Sequence, residues 1–297
     1  MKKKMKTSWS IFTVTAIALT MLASCTPKDE TGDNNKGSLK VLLTDSPFPA
    51  DEVRAVNVTV DRVSIKQPDD LTTEETDESG FLVLSEETNT YNLLDLQNGT
   101  VATLANIESI GPGTYTEIRL HIVSAEIVLI DGSVFDLKIP SGSSSGLKIK
   151  IDGGLEVRSG NPSTLILDFD VSRSFVMKGR NPHTGVINGF NFKPVIRAVA
   201  EDISGSMEGT VTNADKTVAL PNAAIRIISS DMQDTLTALT NEAGYYAVIG
   251  LLPDSYKVIA SKSEFVSDTV FAAGVEKYNI ATVDFALDAV PVVTPAP

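Results

Sequence analysis

The sequence predicts an all-β protein: two antiparallel β-sandwich domains behind a secretory leader and a polar tether. Three observations predict it. Apolar and polar residues alternate at period two through much of the chain, as in strands with one face on a core and one in water. The alternating runs are separated by glycine, asparagine and aspartate turn signals. Helical spacing is offered only by Val101 to Glu108, for about two turns.

The elements follow in chain order. Lys2, Lys3, Lys4 and Lys6 precede the apolar run Ile11 to Ala23, and no further charge occurs until Lys28. A basic start and a short apolar core make a secretory signal, expected over residues 1–24. The run is too short to stay in a bilayer as a spanning helix. It ends in Leu22-Ala23-Ser24-Cys25, which resembles a bacterial lipobox. That resemblance implies cleavage before Cys25 and acylation of its thiol. Each buried methylene contributes about 0.8 kcal/mol, so two acyl chains already anchor a protein stably. Cys25 is the single cysteine, which excludes an internal disulfide and a cysteine-based metal cluster. Lys28, Asp29 and Glu30 resemble the lipoprotein export signal of Bacteroidota, which implies the outer membrane and an outward-facing, cell-surface position. The tether over 25–37 is polar and glycine-bearing, and disorder is expected there.

The formal net charge is −13, and loss of the leader's four lysines leaves −17. Such a surface repels phosphates, so no nucleic acid partner is expected. With two histidines, His121 and His183, chemistry built on several imidazoles is nearly excluded. The length after the leader allows about two domains.

The first, over residues 38–202, opens its clearest strand at Val56, Val58 and Val60. Ile118, Leu120 and Ile122 repeat the pattern, and Ala125, Ile127 and Leu129 continue it. Asp131-Gly132 then reads as a hairpin turn into Phe135, Leu137 and Ile139. Leu147, Ile149 and Ile151 form a further strand. Asp69 to Gly80 carries six acids and little to bury, and is expected to be a mobile surface loop. A small polar link, Asp202 to Ser206, leads to the second domain, 207–287. Residues 288–297, rich in proline and valine, are expected to be a disordered tail.

Several phrases of the first domain resemble a domain-of-unknown-function family of bacterial lipoproteins, family 4382. They are Leu43 to Pro47 (LTDSP), Val58 to Val63 (VTVDRV), Tyr91 to Leu96 (YNLLDL) and Gly113 to Leu120 (GTYTEIRL). Pro140 to Lys148 (PSGSSSGLK), Leu167 to Ser174 (LDFDVSRS) and Phe192 to Arg197 (FKPVIR) complete the series. The resemblance implies a β-rich extracytoplasmic module and assigns no activity. In the second domain, Gly209-Thr210-Val211, Leu220 to Ile225, Thr240 to Tyr246, Gly250 to Pro253 and Tyr256-Lys257-Val258 resemble the carboxypeptidase regulatory-like family. That implies a transthyretin-type sandwich, grouped with carbohydrate-binding-like folds. Ser255 stands where the family usually has glycine.

Four constellations were weighed for chemistry. Gly142 to Gly146 fits the GxSxG pattern by letter, but Leu147 to Ile151 alternate as a strand where a nucleophile elbow needs a helix. Asp168 and Asp170 flank Phe169 and share one strand face. They are candidates for calcium or an acid–base pair, although pairing with Arg173 or Arg197 explains them better. His121 lies out of phase with its apolar neighbours and is expected to point outward, and His183 falls in a turn-rich loop. Asp234-Thr235-Leu236 and Asp268-Thr269-Val270 match the Bacteroidota O-glycosylation sequon, making Thr235 and Thr269 candidate acceptors.

The expected function is therefore a non-catalytic, lipid-anchored binding module without cofactors. Its expected partners are the membrane and either a glycan or a surface protein. The alternatives are a structural or adhesive stalk or fimbria-like component, and a hydrolase using Asp168 and Asp170. Glycan binding calls for exposed aromatics. With Trp9 lost in the leader, Tyr115, Tyr245 and Tyr246 are the candidates.

Overall fold

The computed structural model describes residues 36–46, 52–69, 71, 77, 80–139 and 145–291. The first domain contains β1 (Gly37–Ser46), β2 (Val53–Lys66), β3 (Phe81–Ser85), β4 (Asn89–Asn92), β5 (Ala102–Ile110) and β6 (Gly113–Leu129). β7 (Val134–Asp136), β8 (Leu147–Val157), β9 (Pro162–Asp170), β10 (Phe175–Met177), β11 (Phe190–Phe192) and β12 (Ile196–Ala200) complete it. The expected alternation holds in β2, where Val56, Val58, Val60, Val63 and Ile65 are buried, and in β6, where Ile118, Leu120 and Ile122 are. The Asp131-Gly132 turn also forms, joining β6 to β7 with Ile127 opposite Phe135.

Among the described residues ten of these strands build one sheet in the order β3-β2-β6-β8-β12-β9-β1-β5, with β4 on β2 and β7 on β6, and β10 and β11 pair by themselves. β8 is where the sheet turns back on itself. It pairs with β6 on either side of Gly153 and Gly154, both in the left-handed region, and with β12 at Ile151 and Asp152. Val58 and Ile118 from one part, and Val41 and Leu167 from the other, accordingly share one core.

The second domain contains β13 (Gly205–Asn213), β14 (Ala224–Ile228), β15 (Thr235–Leu239), β16 (Tyr245–Leu251), β17 (Asp254–Ser261), β18 (Asp268–Val275), β19 (Ile280–Thr282) and β20 (Phe285–Leu287). Its two sheets run β16-β13-β19, with β20 also on β13, and β15-β14-β17-β18. Met207, Ile225, Tyr246 and Val258 belong to a core separate from that of the first domain. Asn241 to Gly244 form a turn, closed by the Gly244 amide on the Asn241 carbonyl. The Asn241 side chain accepts from the Ala243 and Tyr245 amides, and Gly244 takes a positive φ.

The fold is all-β, as expected, with four differences in detail. The sheets are mixed: β1–β9, β8–β12, β13–β19 and β13–β20 are parallel. The helical spacing of Val101 to Glu108 is overruled, because Ala102–Ile110 pairs along β1. A two-turn helix is marginal by itself, and the ladder satisfies the same backbone groups. The tail does not begin at Asp288, since the Val266 amide donates to the Asp288 carbonyl and the Val290 amide to that of Glu264. Within the acidic stretch, Asp77 is held by Arg119 at 2.7 Å and accepts from the Phe81 amide. Arg119 itself lies over the Phe81 ring.

Candidate functional site

Three phrases of the first domain meet at one place. β1 lies between β5 and β9 and runs parallel to β9, which sets Thr44 opposite Asp168 and Asp45 opposite Phe169. β12 lies antiparallel on the other side of β9 and sets Arg197 opposite Asp168. Asp45, Asp168 and Asp170 are all buried, at 6%, 6% and 4% exposure. The charges are matched locally. Asp170 caps the helical turn Val171–Ser174, accepting from the Arg173 amide at 2.9 Å and the Ser172 hydroxyl at 2.7 Å. Its other oxygen pairs with Arg173 Nε at 2.6 Å. Asp168 pairs with Arg197 at 3.3 Å. Both acids thus pair with the two arginines named for them in the sequence.

Asp45 differs. Its Oδ1 accepts from the Val171 amide at 3.3 Å, and Oδ2 is buried without a hydrogen-bond partner. Burial pushes its carboxyl well above the usual range, and the charges of Asp168 and Asp170 push the same way. The amide of Val171 and the side chain of Gln97 oppose them. Phe169, Phe175 and Phe192 stack near this cluster, with ring centres 4.8–6.3 Å apart. Among the described residues no group of three or more His, Cys, Asp or Glu side chains is arranged to hold a metal ion.

The cluster also forms the joint between the domains. Arg197 Nη1 donates to the Gly250 carbonyl at 2.6 Å, and the Ala247 amide donates to Asn98 Oδ1 at 3.3 Å. Gly250 has a φ of 70°, and a Cβ there would lie 2.7 Å from Val199 Cγ1, so the close approach needs glycine. Two cavities at the joint, beside Asp168, hold only about 20 and 10 Å³. That is room for about one water and no ligand. Asp152, close by, is raised by burial, with Arg197 acting against the shift and Asp234 adding to it.

An open cleft of about 690 Å³ lies beside the joint, lined by both domains, and a second concavity of about 480 Å³ lies in the first domain, between Leu129 and Ile187. Both volumes are in the range of small-molecule sites. One wall of the cleft beside the joint is a turn closed by the Asn279 amide on the Glu276 carbonyl at 3.2 Å. Tyr278, its third residue, has a φ of 60°, in the left-handed region where glycine or asparagine is favoured. A bulky side chain there costs about 1–3 kcal/mol. The turn is clamped to the interdomain link: Tyr278 N donates to Ser204 O, and Ser206 N to Asn279 O, both at 2.9 Å. A Cβ on Gly205 would stand 2.2 Å from the Glu276 carbonyl, so this contact too requires glycine. The tyrosine ring is 71% exposed, beside Ile280 at 56%.

The remaining sequence candidates fall as follows. Cys25, Lys28, Asp29, Glu30 and the serines of Gly142 to Gly146 up to Ser144 lie outside the described residues. Thr235 is half-buried at the first position of β15, beside Asp168 and Arg173 at the joint. Thr269 is half-buried on β18, opposite Ile259. His121 is expected to point outward, but its side chain is largely covered, at 15% exposure, and its Nδ1 contacts Asp61. His183 is exposed. The tyrosines proposed for sugar binding are committed inside. Tyr115 and Tyr246 are buried and donate to the carbonyls of Gly111 and Val283. Tyr245 is half-buried and donates to Glu208. Sequence reasoning missed Tyr278. Its one signal was an aromatic flanked by Lys277 and Asn279 near the end of a strand, with no glycine to announce the turn.

Comparison with known proteins gives two family matches. A domain of unknown function (DUF4382) matches residues 36–194, and a carboxypeptidase regulatory-like domain matches 206–288. No curated protein matches the chain. Among solved structures, the Bacillus anthracis TIE protein is 16% identical with a TM-score of 0.27. The match covers 86% of this chain, which spans only 34% of that protein. The minor pilin GBS52 of Streptococcus agalactiae is 9% identical with a TM-score of 0.27, covering 87% of this chain and 99% of the pilin. The shaft pilin SpaA of Lactobacillus rhamnosus GG is 10% identical with a TM-score of 0.27, covering 86% and 100%. The first match takes in more than half of the sequence, so the chain belongs to the family of the domain of unknown function (DUF4382), and a carboxypeptidase regulatory-like domain follows it.

Proposed function

We propose that this protein is a non-catalytic binding lipoprotein, acylated at Cys25 and displayed at the cell surface of the outer membrane through Lys28, Asp29 and Glu30. Its two sandwiches act together to present a ligand-binding cleft, with a glycan as the ligand class. The observation that supports this most is the division of labour between polar groups. Asp168 and Asp170 are closed off and matched to Arg197 and Arg173, where an acid–base pair would need access to substrate. An open cleft at the domain junction is lined by neither of these two acids. The test is turnover of a panel of glycoside, ester and peptide substrates by the purified full chain. No turnover is expected. Activity that disappears in Asp168→Asn/Asp170→Asn while the fold is kept would overturn the reading in favour of a hydrolase.

A stalk or fimbria-like role without a small ligand is favoured by the hydrogen-bonded joint at Arg197 and Gly250. Labelling of extended surface fibres by antibody to this chain, with no binding on a glycan array, would select that role.

A further inference from the structure

We propose that the interdomain cleft binds a neutral oligosaccharide, with the Tyr278 ring as its aromatic platform and Asp202 as an acceptor for sugar hydroxyls. The inference rests on the binding role proposed above and assigns its site and ligand class.

The first support is the conformation of Tyr278. Its amide bond to Ser204 needs only a backbone N–H, and glycine would supply the same turn without strain. Nothing in the turn itself calls for a ring, yet a large ring is held out at the mouth of the cleft. Strain of this kind collects where a side chain is used. Lys277 Nζ sits over the ring, 4.9 Å from its centre, and the residue is still 71% exposed. Ile280 and Val101 extend the exposed apolar surface at the same cleft.

The second support is Asp202. Asp202 lines the cleft, and its Oδ1 is buried there without a hydrogen-bond partner in the protein. An acceptor left so is completed by a donor from outside. Glu201, exposed on the same wall, offers a second carboxylate.

The charges choose the ligand. Two carboxylates in a strongly acidic protein disfavour an anion. The positive charge of Arg158 acts on Asp202, and Lys277 stands at the ring, so the rim is not a trap for a cation either. A neutral molecule with a flat apolar face and many hydroxyl donors fits a ring, an orphan acceptor and a balanced rim. A pyranose has both features.

The test uses the full lipidated chain in detergent micelles. Neutral cello-, xylo- and manno-oligosaccharides are titrated by calorimetry, beside oligogalacturonate and a lysine-rich peptide. Binding of at least one neutral probe is expected. Tyr278→Gly should weaken it about tenfold or more, and Tyr278→Phe should keep it. Asp202→Asn should weaken it less. Tyr278→Gly should also melt about 2–4 °C higher, because glycine relieves the left-handed strain. Unchanged neutral binding in Tyr278→Gly overturns the site and leaves the binding role standing. Binding of only the anionic or cationic probe, or of none, overturns the ligand class. A Tyr278→Gly protein that melts lower than wild type overturns the strain argument. Failure of the non-catalytic reading is seen separately, as substrate turnover.

Discussion

Arg197 and Gly250 belong to different domains, and the guanidinium of the first holds the carbonyl of the second at 2.6 Å while also pairing with Asp168. One side chain thus neutralises a buried acid and fastens the joint. Arg197→Met should cost about 3 kcal/mol, because Asp168 loses its ion-pair partner in a buried setting. Arg197→Lys should recover little, since an ammonium cannot make both forked contacts. Urea denaturation checks both. A loss under about 1 kcal/mol would mean that the pair contributes no more than a surface bridge.

Asp45 predicts a pH dependence. Its folded pKa lies well above the ordinary carboxylate value. A raised folded pKa means that stability is fully present below the unfolded value of about 3.9 and is lost as pH rises through the folded one. Asp45→Asn keeps an acceptor for Val171 and removes the buried charge. Its melting temperature should fall less than that of wild type as pH rises from mildly acid to neutral. Parallel melting profiles for the two proteins would show that Asp45 does not carry the effect.

Tyr115 and Tyr256 make the same contact in the two domains. Each hydroxyl donates at 2.8 Å to the carbonyl four residues earlier, Gly111 and Leu252 respectively. Burial pushes the Tyr256 hydroxyl up to about 12. Tyr115→Phe and Tyr256→Phe should each cost about 0.5–1.5 kcal/mol, with the larger loss at the fully buried Tyr115. Equilibrium unfolding of each variant measures it, and a neutral Tyr115→Phe would remove the hydroxyl from any structural role.

The anchor is tested by fractionation. Cys25→Ala should move the protein from the membrane fraction to a soluble or unprocessed form. Changing Lys28, Asp29 and Glu30 together to alanine should protect it from protease added to intact cells. Equal protease sensitivity in both strains would reduce the three residues to a tether.

The parts of the fold that were legible are those whose cause is local. Val56, Val58 and Val60 need only the pleat to be placed, and Asp131-Gly132 and Asn241 to Gly244 need only turn chemistry. Ala102–Ile110 was not legible, because Ala, Leu and Glu carry helical preference and the deciding term is a ladder with β1. The pairs Asp168–Arg197 and Asp170–Arg173 were within reach, being short-range or on motifs already singled out. The convergence of Asp45 on them was not, since a parallel pairing between distant strands leaves no trace at either strand. Tyr278 was hidden for the opposite reason. It occupies a turn position where residue preference argues against it, so a pattern reader passes over it.

The place of β1 has a consequence for how the chain comes to be folded. It is the first strand of the described chain, yet it is an inner strand, flanked by β5 and β9. Asp45 meets Val171 across 126 positions. As the chain is made N-terminus first, β1 emerges early and has no parallel neighbour until the last third of its domain arrives. Pairings this remote are slow to close, over milliseconds to seconds. Until they do, Leu39, Val41 and Leu43 and the strand edges around them are open to wrong partners. Newly made chains should therefore depend on holding chaperones for longer than their modest size suggests, and mutations near Asp168 should lower yield more than they lower the melting temperature.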